Sequence, residues 1–307
     1  MFGTTKTQNT KFHDVEGPER MTVRQVPFEF QPGSEQARTT WHPDKPEFAH
    51  IVNSASLAMP YLEPYLIRTM REARSMISDD QLKQELDLYI RQEATHYKQH
   101  KKFNDTLTAQ GYASVADHEA ILGDDYAKLE QNRSLKFNLA YAEGFESMAL
   151  AIGQMLIEDR EYLFSDSESA VASLVLWHFV EEIEHKNVAF DVFDHIYGSY
   201  GWRMFGLFYA TGHIFWRTGQ GYRQFLREDG LWATFSSRWR LLKLLGRLIG
   251  NILPKWLRII RPGYHPCQIA DPAWGQAWAE AFEKDEGDMA RLDTSRLSFD
   301  LPLAEGA

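Results

Sequence analysis

Apolar residues recur at helical spacing through most of residues 54–197, with few Gly or Pro interruptions. The pattern predicts four long helices, over residues 56–75, 79–110, 134–160 and 167–197. A shorter helix with a loop is predicted between the second and the third, over residues 112–133. Ser78–Asp80 predicts a cap for the second long helix, and Gly198 and Gly201 end the fourth. Four such helices are the number in a four-helix bundle, so we expect an all-α fold.

The two ends of the chain lack this regularity. Residues 1–50 are predicted to form an extended N-terminal arm, in which residues 22–30 alternate briefly and suit a short strand or an extended segment. Residues 51–199 form the predicted bundle, and residues 200–262 add further helices rich in Trp, Phe, Leu and Arg. Residues 263–307 predict a tail with one amphipathic helix near 273–290.

The composition excludes several classes of protein. The 307 residues are 44% hydrophobic and 25% charged, which is ordinary for a globular protein, and the single Cys267 excludes a disulfide framework or a thiolate metal cluster. The start lacks the pattern of a signal peptide, so a cytoplasmic protein is expected. The longest uncharged apolar run, 204–216, is shorter than the roughly 20 residues that span a bilayer. A net charge of -10 argues against a nucleic-acid partner.

The charge is unevenly distributed along the chain. Residues 200–262 contain eleven Lys and Arg against only Glu228 and Asp229, a local net charge of +9 that leaves about -19 for the rest. Aromatic residues are interleaved with these cations, and 241–249 is amphipathic and basic. The segment predicts peripheral contact with an anionic membrane or a pocket for a fatty acyl or other hydrophobic acid. The alternative is that these helices pack on the bundle or form a homodimer face.

Two of the four predicted helices carry the pattern Glu-x-x-His, as Glu93–His96 and Glu182–His185. Residues three apart lie on one face of a helix, so both side chains of each pair can reach one ion. The other two helices each place a glutamate, Glu63 or Glu143, in an apolar stretch. One Glu from each of two helices and one Glu-x-x-His from each of the others is the ligand layout of a ferritin-like dimetal carboxylate bundle, so we expect a ferritin-like four-helix bundle.

Neighbouring residues extend or rival this ligand set. His178 lies on the face of Glu182 and His185 and predicts a third histidine ligand for one metal. His100 shares the face of His96 and is a candidate to orient a ligand, or to cap the site without touching metal. Three further residues stay open as rival ligands or supporting groups: Glu146, which is one turn from the preferred Glu143, Glu181 beside Glu182, and Asp191, for which a salt bridge on the helix face is the other interpretation.

Four buried glutamates need compensating charge. Two divalent cations would cancel it, and carboxylate with imidazole suits iron or manganese. The predicted cofactors are therefore two iron ions, with manganese as the alternative.

These residues resemble a family labelled predicted metal-dependent hydrolases, whose members are similar to ferritin-fold proteins. The resemblance rests on Arg91–His100 with Phe103-Asn104 and, most strongly, on the block Trp177–Phe193 containing Glu-Glu-x-Glu-His-Lys. Softer matches are Arg24, Phe28–Phe30, Trp41, Ser56-Leu57 and Tyr264–Pro266. The chain departs from the family at Leu62, where a Gly is usual, and at Glu143-Gly144, where Glu-His is usual. The spacing of His178, Glu182 and His185 is also similar to that of di-iron arylamine N-oxygenases.

Three functions are compatible with this ligand set. The leading prediction is a non-haem di-iron oxidase or oxygenase that uses O₂, with an external electron donor, to oxidise a small, lipid-like substrate. The alternative is a metal-dependent hydrolase in which metal-activated water attacks an ester or phosphoester. The second alternative is an iron-binding ferritin-like protein without enzymatic activity.

Overall fold

The computed structural model describes residues 21–30, 40–284 and 288–297, and within these ranges the regular secondary structure is helical. This confirms the predicted all-α class. The helices are α1 (Pro46–Ser56), α2 (Met59–Ala73), α3 (Asp80–Ala109), α4 (Ser114–Asn132), α5 (Leu135–Glu158), α6 (Arg160–Phe164), α7 (Ser169–Glu184), α8 (Val188–Ile196), α9 (Tyr200–Glu228), α10 (Phe235–Ile259) and α11 (Ala273–Glu283).

Helices α2, α3, α5 and α7, with the residue that follows α7, contribute the predicted ligand residues, an arrangement compatible with the predicted four-helix bundle. One hydrophobic core runs from Met21 in the arm, through these helices, to Leu297. Side-chain caps begin α3 and α5, because Asp79 accepts from the backbone N–H groups of Gln81 and Leu82, and Ser134 accepts from that of Phe137. The cap predicted around Asp79 is therefore confirmed.

The N-terminal arm is only partly as predicted. Residues 21–30 have neither helix nor strand, and Phe28 packs against Trp177 of α7. Residues 46–50, which were predicted to belong to the arm, begin α1, so the prediction is wrong there. A short link at Leu57 and Ala58 then leads into α2. Residues 1–20 and 31–39 of the arm, 285–287 of the amphipathic helix near 273–290 and 298–307 of the tail lie outside the described residues.

The prediction of one continuous helix over 167–197 is also wrong. Helix α7 ends at Glu184, and three residues, His185 to Asn187, separate it from α8. Tertiary bonds explain the break: the His185 ring bonds to Gln92 on α3, and the Lys186 ammonium donates to the Ile269 carbonyl and pairs with Asp271. Helical periodicity continues across the break, so the sequence pattern does not reveal it.

The most extensive packing between helices joins α5 to α9. Their backbones meet at two glycines: a Cβ atom on Gly206 would lie 1.8 Å from the Ala140 carbonyl oxygen, and one on Gly144 would lie 2.3 Å from the Leu207 nitrogen. The close crossing explains why Gly follows Glu143 in this chain. Within the described residues, no helix combines the length and the hydropathy that a membrane-spanning segment needs.

The crossing predicts a strong effect of one methyl group. Gly206→Ala should lower the free energy of unfolding by about 3 kcal/mol or more, because the added Cβ meets backbone that cannot move aside cheaply. Gly212→Ala is the matched control on the open side of α9, where the new Cβ meets nothing within 4 Å, and should raise stability by up to about 1 kcal/mol. Urea denaturation measures both. Equal stability of the two variants would contradict the tight α5–α9 crossing.

Candidate metal centre

Seven ligand-type side chains form two adjacent buried groups. Glu63, His96 and His178 make one, and Glu93, Glu146, Glu182 and His185 make the other, with the donor atoms of each group all within 4.8 Å of one another. Every one of these side chains is at most 5% exposed. The groups come from α2, α3, α5, α7 and the first residue after α7, so residues 63 to 185 converge on one place.

Glu182 lies between the two groups. Its Oε1 is 3.1 Å from His178 Nε2 and 3.6 Å from His96 Nδ1, while its Oε2 is 3.3 Å from His185 Nε2. On the other side of His185 Nε2, Glu93 Oε1 lies at 3.3 Å and Glu146 Oε2 at 3.7 Å. One carboxylate therefore faces ligands of both groups, which is the position that a residue shared by two ions would occupy.

The carboxylates of the cluster oppose one another. Burial, with the nearby charges of Glu182 and Glu146, raises the pKa of both Glu63 and Glu93 well above the usual range. Burial and Glu182 likewise raise the pKa of Glu146 to about 7. Glu182 is the exception: burial opposes its ionisation, but His185 and His178 outweigh burial and hold its pKa well below the usual range. Burial lowers the pKa of His185, but the charge of Glu182 outweighs burial and raises that pKa well above the usual range, so this imidazole offsets part of the negative charge of the cluster.

Many buried atoms that face into the cluster have no hydrogen-bond partner among the described residues. They are both carboxylate oxygens of Glu63 and of Glu93, one oxygen each of Glu146 and Glu182, and the nitrogens His96 Nδ1 and His185 Nε2. Buried polar groups are normally paired, so a concentration of unpaired acceptors in one place calls for a cation. Carboxylate oxygens and imidazole nitrogens are suitable ligands for divalent first-row metals, and the residues present fit such ions.

Each histidine of the cluster also bonds outward through its other ring nitrogen. His96 Nε2 is 3.0 Å from Glu181 Oε2, His185 Nδ1 is 3.0 Å from Gln92 Oε1, and His178 Nδ1 is 2.8 Å from His100 Nε2. Such outer bonds fix the tautomer and the orientation of a metal-binding imidazole.

His100 and Glu181 are thus placed behind the ligand residues, where His100 is itself 2.8 Å from the Ser56 hydroxyl. Tyr89 donates to Glu146 Oε1 at 2.7 Å.

From the sequence, Gln92, Ser56 and Tyr89 had no predicted hydrogen-bonding role at the site. Gln92 is next to Glu93 along α3. It is not part of the Glu-x-x-His pattern, and the spacing does not show that its amide turns toward another helix. Ser56 precedes α2 and reaches His100 only through tertiary packing. Tyr89 is four residues before Glu93, one turn along the same helix, and this spacing was the available signal.

Glu143 and Asp191 lie outside both groups. Glu143 accepts from the Ser147 hydroxyl at 2.9 Å and lies 3.7 Å from the guanidinium of Arg203 on α9, and burial raises its pKa to about 7. The geometry therefore reverses the preference for Glu143 over Glu146, because the α5–α9 crossing turns Glu143 toward α9.

Asp191 bonds to His265 at 2.8 Å and accepts from Asn187, so it pairs on the surface of α8 and not with a cluster histidine.

The N-terminal arm holds the outer bonds in place. Arg24, which is 1% exposed, donates two bonds to Glu184, at 2.8 and 2.7 Å, and lies 3.4 Å from Glu181, the partner of His96. The Gln92 amide, whose oxygen faces His185, donates to Glu184 and to the Thr22 carbonyl of the arm. Two of the three cluster histidines are thus linked to the arm through one intervening residue each, His96 through Glu181 and His185 through Gln92.

Comparison with known proteins finds a family match. A family model described as predicted metal-dependent hydrolase matches residues 22–270, which is most of the chain and includes both groups of ligand-type residues. No curated protein and no solved structure matches the chain.

The family match corrects the functional prediction. The leading interpretation of the sequence, a di-iron oxidase or oxygenase that uses O₂, is wrong, because the matching family is the one that the hydrolase alternative names. The ligand types could not make this distinction, since carboxylate and imidazole serve both chemistries.

The arm predicts a remote effect on metal binding. Arg24→Met should weaken binding of Mn²⁺ by about 10- to 100-fold, because Glu181 and Glu184 lose the cation that orients them behind His96 and Gln92. Titration calorimetry on the metal-free protein measures the affinity, with circular dichroism as the check on folding. Arg68→Met, which removes a surface partner of Glu130, is the matched control and should bind as the unaltered protein does. An unchanged affinity in Arg24→Met would show that the arm does not support the cluster.

Proposed function

Because the chain belongs to the family of predicted metal-dependent hydrolases, we propose that it hydrolyses an ester or phosphoester bond of a small molecule with two divalent metal ions. The observation that carries the proposal is the pair of adjacent buried groups, in which six carboxylate oxygens have no hydrogen-bond partner among the described residues. The sequence has no Gly-x-Ser-x-Gly motif, so water is the expected nucleophile.

In this proposal the seven residues divide between two ions. Glu63, His96 and His178 would hold one ion, and Glu93, Glu146 and His185 the other, with Glu182 between them. Four carboxylates balance the charge of two divalent cations, which removes the repulsion that raises the pKa values of Glu63, Glu93 and Glu146. Manganese and iron are the ions that we expect from this mixture of oxygen and nitrogen ligands.

Divalent ions in such a site supply Lewis acidity toward a carbonyl or phosphoryl oxygen and make water acidic enough to attack near neutral pH. The side chains of the protein hold the ligand residues in position and exclude bulk water from them. Glu181, Gln92 and His100 orient the three histidines, and Tyr89 fixes one oxygen of Glu146 so that the other faces the cluster. Burial keeps bulk water from screening the charges of these groups, which strengthens their action on a bound substrate.

A reconstitution assay tests the proposal. The metal-free protein is loaded with Mn²⁺, Fe²⁺ or Zn²⁺ and incubated, with and without oxygen, with p-nitrophenyl esters of increasing chain length and with p-nitrophenyl phosphate mono- and diesters. We expect hydrolysis that requires metal and proceeds equally well under nitrogen, because attack by water consumes no oxidant.

Two variants make this assay specific to the cluster. Glu182→Gln should lose at least about 100-fold in turnover, because the residue facing both groups loses its charge. Glu143→Gln is the matched control on α5 and should keep most of the activity, since Glu143 faces Arg203 instead of the cluster. Turnover that depends on oxygen, or that survives Glu182→Gln unchanged, would refute the proposal.

A further inference from the structure

Helix α10 is apolar on two opposite sides. Leu244 and Ile259 are buried on the inner side, where Leu248 and Ile252 also pack against the core. The outer side exposes large apolar side chains, with relative exposures from 50% to 83%: Phe235, Trp239, Leu242, Ile249, Leu253 and Leu257. At 100° per residue these six positions fall within an arc of about 80°, in which the other positions are Gly246 and the apolar Ile260. The inner side accounts for packing on the bundle, and the outer side is left without a partner in the described chain.

Helix α9 extends this exposed surface. Phe205, Phe208, Phe215 and Trp216 on its outer side are 46% to 65% exposed. The two helices neighbour each other at both ends: the Phe208 ring lies 5.3 Å from that of Trp256, and Arg223 of α9 and Arg238 of α10 both lie over Trp232 in the connecting turn. We call the exposed apolar side chains of these two helices the apolar outer face.

Positive charge surrounds the apolar outer face. Four of the eleven cations in residues 200–262 are paired with acids of other helices: Arg217 with Asp125, Arg240 with Glu47, Arg247 with Asp159 and Lys255 with Glu158. Six others are exposed: Arg223, Arg227, Arg238, Lys243, Arg258 and Arg261. The only acids of the segment are turned inward, because Glu228 accepts from the backbone of Ala113 and Ser114 and Asp229 faces His50.

The exposed apolar side chains and the cations around them favour one kind of partner for the apolar outer face. An exposed apolar surface of this extent is rare on a protein without a partner for it. A second copy docked through the same face would bring like charges together around the interface, which opposes association. A bilayer with anionic headgroups offers phosphate for the cations and acyl chains for the aromatic and aliphatic side chains, the two contacts that an interfacial helix uses. We propose that α9 and α10 lie on the surface of an anionic lipid bilayer through the apolar outer face.

Vesicle flotation tests this proposal directly. The metal-loaded protein is mixed with vesicles of phosphatidylcholine alone or with 30% phosphatidylglycerol, at low and at high salt. We expect flotation with the anionic vesicles at low salt, a weaker signal at high salt because the charges are screened, and little flotation with phosphatidylcholine. The emission of Trp216 and Trp239 should shift to the blue with the anionic vesicles as these exposed rings leave water.

Paired variants separate charge from apolar contact. Lys243→Gln with Arg258→Gln should lower the apparent partition coefficient by about 30-fold at low salt, and Ile249→Ser with Leu253→Ser by about tenfold or more. The charge-matched control is Arg71→Gln with Lys102→Gln on α2 and α3, and the apolar control is Met76→Ser with Ile121→Ser. These exposed residues lie outside α9 and α10, so both controls should partition as the unaltered protein does.

Two results would overturn the proposal. One is equal absence of the folded protein from all vesicles. The other is a dimer in sedimentation equilibrium that Ile249→Ser with Leu253→Ser dissociates, without flotation of either form, which would assign the apolar outer face to a second copy of the chain. Thermal unfolding of each variant before flotation ensures that a loss of partition is not a loss of fold.

Discussion

Four carboxylates buried within a few ångströms of one another are the constraint on which the rest of this structure depends. Four different helices contribute them: Glu63, Glu93, Glu146 and Glu182. The packing of these helices must therefore outweigh the free-energy cost of holding the four carboxylates close together. Burying an uncompensated charge is expensive, and each additional like charge increases that cost. His185 relieves the repulsion in part through Glu182, and a pair of divalent ions would relieve the remainder.

The constraint explains features that are distant in sequence. The histidines can serve as ligands only if their rings are held in one orientation, and Glu181, Gln92 and His100 provide that orientation. Two of these supports are in turn held by the arm through Arg24 and Thr22. A segment without helix or strand therefore contributes to the centre, and the break after Glu184 belongs to the same network because His185 bonds to Gln92 there.

The sequence predicted the site better than the supports around it. Helical spacing identified Glu93–His96 and Glu182–His185, because positions three apart must share a face whatever the tertiary structure. It favoured Glu143 over Glu146, because helical spacing does not show that α9 crosses α5 beside Glu143 and brings Arg203 to it. Arg24 was named only as a family match, and its role could not be predicted because its partners Glu181 and Glu184 are 157 and 160 residues away in sequence. The ligand types were equally suited to oxidation and hydrolysis, and only similarity along most of the chain separated the two.

The central claim, that these buried side chains hold two divalent ions, is tested most directly by titrating the metal-free protein with Mn²⁺ and measuring bound metal by elemental analysis. The account predicts two ions per chain, with stoichiometry unchanged in Glu143→Gln and reduced in Glu146→Gln. Binding should also raise the thermal stability of the protein, because the ions bind only the folded cluster. A stoichiometry of one or zero, or equal binding by the Glu146→Gln variant, would contradict it.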